Sequence, residues 1–120
     1  MNPVTIAVDA MGGDYAPHEI VKGAIDGSKR HGVKVLLVGQ PDLIEAELQK
    51  ACIGEAQYEI VPALESIDMG ESPLQAMRKK KDASIVVTAR CVAEGKAQGM
   101  VAAGSTGAAM AAALFQMGRI

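Results

Sequence analysis

The sequence predicts an α/β protein, a mainly parallel sheet between two layers of helices, and two observations lead there. Short aliphatic runs alternate with segments of helical periodicity, giving four strand-helix units along 120 residues. The apolar fraction of 49% is supplied almost wholly by Ala, Val, Ile, Leu and Met, with two Tyr, one Phe and no Trp. Such small side chains let helices sit closely on a sheet.

The first strand is expected at Val4 to Asp9, a β-rich run closed by the turn cluster Met11-Gly12-Gly13-Asp14. Pro17 suits a first helical position, and Ile20, Val21, Ala24 and Ile25 recur at helical spacing until Gly32, so a helix is expected from Pro17 to His31. Val33 to Val38 reads as a strand covered on both faces, broken by Gly39-Gln40-Pro41, and a second helix starts at Asp42 with Leu43, Ile44 and Leu48. Tyr58 to Val61 is the third strand, closed by Pro62 and followed by a polar loop through Glu71. Ser72-Pro73-Leu74-Gln75 has the pattern of a capping box with Pro at the first helical position.

The segment Ser84 to Ala93 is two-sided. Ile85-Val86-Val87-Thr88 favours a strand by propensity, yet Ile85, Val86, Ala89, Val92 and Ala93 share one helical face, and periodicity decides for a helix. Gly99 to Ala103 is the last strand, Gly104 to Gly107 a tight turn, and Ala108 to Met117 an Ala-rich helix. The chain reads as one domain or part of one, residues 1–120, with neither a repeat nor a linker. Its stop just after the last helix, without a closing strand, leads us to expect an incomplete fold that is poorly stable, or oligomeric, and inactive alone.

Charge narrows the partners. A net charge of -2 and a pI near 5.6 leave no basic stripe for nucleic acid. The run Gly107 to Phe115 is far shorter than the ~20 residues of a spanning helix, and Val4 to Asp9 is too short for a signal-peptide core, so a cytoplasmic protein is expected. Cys52 and Cys91 lack metal or CxxC spacing and read as small core hydrophobes.

Ligands of open parallel sheets bind beyond the carboxyl ends of the strands, which directs attention to the loops after the first and last strands. In Ala103-Gly104-Ser105-Thr106-Gly107-Ala108, glycines permit close backbone approach, and Ser105 and Thr106 offer hydroxyls at a helix start whose free N–H groups attract anions. The stretch is a candidate phosphate cradle; it also fits a plain turn with an N-cap hydroxyl. In the first loop Asp9 suits either an acceptor that fixes glycine N–H groups, a proton acceptor, or an Asx turn. His18 is an acid-base candidate or a surface residue, and Arg78-Lys79-Lys80-Lys81 either supports an anion or complements a helix dipole. GxGxxG, P-loop, HExxH and GxSxG motifs do not occur, so dinucleotide binding, nucleoside-triphosphate hydrolysis, zinc proteolysis and serine esterase chemistry lack their signatures.

The stretch Ile6-Ala7-Val8-Asp9-Ala10-Met11-Gly12-Gly13-Asp14-Tyr15-Ala16-Pro17 closely resembles the opening signature of PlsX-type phosphate acyltransferases. The likeness continues through Val38-Gly39, through Pro73, Ala76-Met77-Arg78, Lys81 and Ser84, and into Ala102 to Ala108, so it runs in order along essentially the whole chain. Ser105 stands where the family more commonly has Asn. The resemblance implies a Rossmann-like α/β/α sandwich similar to the isocitrate and isopropylmalate dehydrogenases, of which this chain would be the N-terminal part. It also implies a homodimer with no nicotinamide cofactor, and no metal or other cofactor is expected.

The implied reaction moves a fatty acyl group from acyl carrier protein to inorganic phosphate. It takes place beside the membrane, where an integral glycerol-3-phosphate acyltransferase uses the acyl phosphate to begin phospholipid synthesis. On this resemblance Gly104, Ser105, Thr106 and Gly107 contact phosphate or the oxyanion, Gly12 and Gly13 shape the binding loop, Arg78 and Lys81 support charge, and Asp9 orients the site or receives a proton. A phosphotransacetylase-like enzyme using acyl coenzyme A and a non-catalytic anion-binding module are the alternatives.

Overall fold

The computed structural model describes residues 3–67, 70–104 and 106–118. Its elements are β1 (Thr5–Asp9), α1 (His18–His31), β2 (Lys34–Gly39), α2 (Pro41–Lys50), β3 (Gln57–Pro62), α3 (Pro73–Lys79), α4 (Ser84–Ala93), β4 (Gly99–Val101) and α5 (Thr106–Met117). The four strands form one sheet in the order β3-β2-β1-β4, with every pairing parallel. The chain steps outward from β1 to β2 to β3, then crosses back to place β4 on the other side of β1. The switch point therefore lies between the carboxyl ends of β1 and β4.

Strand parity sorts the side chains between two layers. Val8, Val35 and Leu37 face α1 and α2, packing with Val21, Ile25, Ile44 and Leu48. The intervening Ala7 and Leu36 face the other way, with Cys91 and Ala97, and Val38 packs with Val87. The sheet is thus covered on both faces, as its near-continuous aliphatic strands require. Ser28, buried in α1, ties this framework together. Its hydroxyl donates to the Val33 carbonyl at 2.6 Å and accepts the Gln57 N–H at 2.9 Å, joining the end of α1 to the starts of β2 and β3.

The periodicity reading of Ser84 to Ala93 holds, since α4 has those bounds and buries every residue from Ser84 to Ala89. Burial on two sides, against the sheet and against α5, overrides the strand propensity of its β-branched run. Other expectations need correction. Ser72 does precede α3, but its side chain caps nothing, so the capping box is a boundary signal only. β4 stops at Val101, Gly104 beyond it packs against the first loop, and Thr106 and Gly107 belong to α5 instead of the turn. Cys91 is buried as expected, whereas Cys52 is exposed in the loop after α2. No helix among the described residues is long and apolar enough to cross a membrane.

Candidate functional site at the β1–β4 switch point

Two glycine-containing loops meet where the strand order reverses. A Cβ added to Gly104 would lie 3.1 Å from the Gly12 Cα and 3.2 Å from the Gly13 nitrogen, so only bare backbone fits this junction. Gly13 also has φ +98°, a left-handed conformation, and a Cβ there would stand 3.1 Å from the Ala103 carbonyl oxygen. The loops after β1 and β4 are one interlocked unit.

Asp9 stands beneath it. Parity puts its side chain on the Ala7 face of the sheet, toward α4, and the residue is only 4% exposed. One carboxylate oxygen accepts the Met11 N–H at 3.1 Å, the Gly12 N–H donates to the Asp9 backbone carbonyl at 3.4 Å, and Ser84, at the start of α4, lines the same small cavity. Burial pushes the Asp9 carboxyl above its ordinary range, while the donors from Ser84, Met11 and Gly12 pull it back. Asp9, Met11, Gly12, Ser66, Ile67, Ser84, Ile85, Ala102, Gly104 and Ala108 line a cavity of about 10 Å³. That volume admits a water molecule at most. The start of α5 beside the glycine junction is, by contrast, exposed.

The predicted residues divide accordingly. Asp9, Gly12, Gly13 and Gly104 come together, and Thr106 and Gly107 follow as the exposed first residues of α5. Ser105 lies outside the described residues. Arg78 and Lys81 are exposed and neither lines the cavity. The member of the basic run that reaches the site's border is Lys80: its Nζ donates to the Ser66 carbonyl at 2.9 Å and pairs with Glu71 at 2.6 Å. His18 sits elsewhere, its Nδ1 at 2.8 Å from Glu47, on a cavity of about 310 Å³ between α1 and α2. This cavity shares no lining residue with the small one beside the glycine junction.

Sequence reasoning did not place Ser84 at this cavity. The available signal was parity, which sends Asp9 to the face of the sheet that α4 covers. Among the described residues, no three His, Cys, Asp or Glu side chains gather as a metal site.

The fatty acid synthesis protein family matches residues 4–120. Three proteins named phosphate acyltransferase are similar over nearly all of this chain. That of Heliobacterium modesticaldum is 59% identical over 116 residues, 96% of this chain and 35% of the relative. That of Desulfitobacterium hafniense strain DCB-2 is 53% identical over 115 residues, 96% of this chain and 34% of the relative. That of Trichodesmium erythraeum is 49% identical over 118 residues, 98% and 34% respectively. The chain spans about a third of the length of these relatives. With a parallel α/β sheet whose glycine loops interlock at the switch point, and with this match along its length, the chain belongs to the fatty acid synthesis protein family, the PlsX family.

Proposed function

We propose that the protein containing this segment is an acyltransferase that moves a fatty acyl group from acyl carrier protein to inorganic phosphate. Residues 1–120 form the N-terminal part of its single α/β domain. The observation that carries this reading is the Gly12–Gly13–Gly104 junction beside the start of α5, with bare backbone on one side and the first backbone N–H groups of a helix on the other.

A phosphate oxygen attacks the thioester carbonyl carbon, the carbonyl electrons move to oxygen, and the tetrahedral oxyanion collapses with loss of the thiolate. No covalent enzyme intermediate is needed. Backbone donors of Thr106 and Gly107, together with the Thr106 hydroxyl, hold the phosphate or the oxyanion, and their preorganisation lowers the barrier. Ser105 belongs to the same contact set, and Gly12 and Gly13 set its shape. Arg78 and Lys81, exposed near the loop that Lys80 anchors, contribute positive potential rather than a lining contact. Asp9 orients the loop.

The same reading makes the product an acyl phosphate for phospholipid synthesis, passed to a membrane glycerol-3-phosphate acyltransferase, and makes the enzyme a cytoplasmic homodimer working beside the membrane. Exposed Met110 and Leu114 on α5 and Leu74 on α3 are apolar surface suited to further burial. The test is thiol release from acyl-acyl carrier protein by the full-length enzyme. Release that requires phosphate is expected; equal release without it would mean thioester hydrolysis and overturn the reading. Faster turnover with acyl coenzyme A would move the donor to that alternative.

A further inference from the structure

We infer that the corner between α3 and α4, with Arg78, Lys79, Lys81 and Arg90, is the surface on which an acidic face of the acyl-carrying protein docks. The inference rests on the carrier-protein donor proposed above.

Charge is unevenly spread along the chain. Residues 78–90 hold five of its 12 Lys and Arg but only one of its 14 Asp and Glu, Asp82, in a chain of net charge -2. Folding brings Arg90 of α4 back to this run, its guanidinium donating to the Lys81 carbonyl at 3.2 Å. Lys80 turns to the Ser66 carbonyl and Glu71, while Arg78, Lys79 and Lys81 stay exposed. Among the described residues, Lys29, Lys34, Lys50 and Lys96 each have a carboxylate partner, whereas Arg78, Lys79, Lys81 and Arg90 form no ion pair. The remaining surface, acidic in sum, repels an acidic partner and leaves this corner as its place of approach.

The corner also stands beside the site. Ser66, whose carbonyl holds Lys80, lines the cavity of Asp9 and Gly104, and α3 packs against α5, whose first residues are proposed to hold phosphate. A carrier docked here has a short reach for its thioester. An anionic membrane would feel the same charge, but surface anchoring also requires a broad apolar helix face. α3 has seven residues, and among those described Leu74 is its one large exposed apolar side chain.

The experiment measures kcat/KM of the full-length enzyme at saturating phosphate, in low and high salt, for acyl-acyl carrier protein and for acyl-pantetheine, an uncharged thioester. The double variant Lys79→Glu with Lys81→Glu is expected to lose about tenfold with the carrier protein at low salt, and the loss should shrink to about twofold at ~1 M salt, where exposed charges are screened. Lys79→Glu alone should lose about threefold with the carrier protein at low salt and stay within about twofold of wild type with acyl-pantetheine. Wild-type carrier kinetics in both variants at low salt would overturn the inference. An equal loss with acyl-pantetheine would do the same, by placing the cations in the chemistry itself. So would lost binding to phosphatidylglycerol vesicles with carrier kinetics intact, which assigns the corner to a membrane. If the double variant does not fold, Lys79→Glu alone is read by the same criteria. Failure of the donor reading is seen separately, in a wild-type enzyme whose thiol release ignores phosphate or that prefers acyl coenzyme A.

Discussion

Gly12 and Gly104, brought from opposite ends of the sequence, touch through bare backbone: a methyl added to Gly104 would stand 3.1 Å from the Gly12 Cα. The obstacle is main chain on both sides, so it cannot be relieved by a rotamer change. Gly104→Ala is expected to lower the urea midpoint of the full-length enzyme by an amount corresponding to about 1–3 kcal/mol and to weaken phosphate saturation. A variant with wild-type stability and kinetics would show that the loops have room.

Gly23 supplies the opposite case. It lies within α1, and an added Cβ there meets nothing within 4 Å. Gly23→Ala should raise stability by about 0.5–1 kcal/mol, because it restrains the unfolded chain without crowding the native one. A lower urea midpoint would contradict the open surface described here.

Asp9 makes stability depend on pH in an unusual sense for a carboxylate. Its folded pKa is raised above the ordinary value of 3.8, chiefly by burial, so the native state holds the proton more tightly than the unfolded state does. Its contribution is therefore largest below that value and is lost as pH rises through the raised folded pKa. Asp9→Asn, neutral throughout, should fall short of wild type by more in urea melts below this window than in melts above it. A gap that widens with rising pH would reverse the assignment of burial as the dominant effect.

Thr106 separates phosphate binding from helix capping. It is the exposed first residue of α5, and valine keeps its branched shape while deleting the hydroxyl. Thr106→Val should raise the phosphate half-saturation about tenfold with little change in urea midpoint. An unchanged half-saturation with a lowered midpoint would instead make the hydroxyl a structural group.

The parts of the fold that were legible in the sequence are those set by local pattern. Aliphatic runs such as Val35 to Val38 marked strands, and the spacing of Ile85, Val86 and Ala89 found α4 despite their β-branching. The glycine loops were legible because bare backbone has one residue type. What stayed hidden was set by docking. Ser84 comes to line one cavity with Asp9 only when α4 lies on the correct face of β1, and Lys80, flanked by residues of like charge, is singled out only by the position of Ser66 and Glu71. Cys52 was misplaced because a small apolar residue just past a helix gives no signal of which way it faces.

The helix α4 has one more consequence. Its Ile85-Val86-Val87-Thr88 core stays coiled because the sheet and α5 enclose it, and nothing in its own preferences would keep it so. Outside that enclosure, on a nascent or heat-unfolded chain, the same residues form an uncharged β-prone stretch of the kind that nucleates self-association. A peptide of residues 83–94 should therefore show little helix by circular dichroism in water and assemble into β-rich aggregates as its concentration rises. The segment that lines one cavity with Asp9 in the folded protein would then need shielding while the protein is being made.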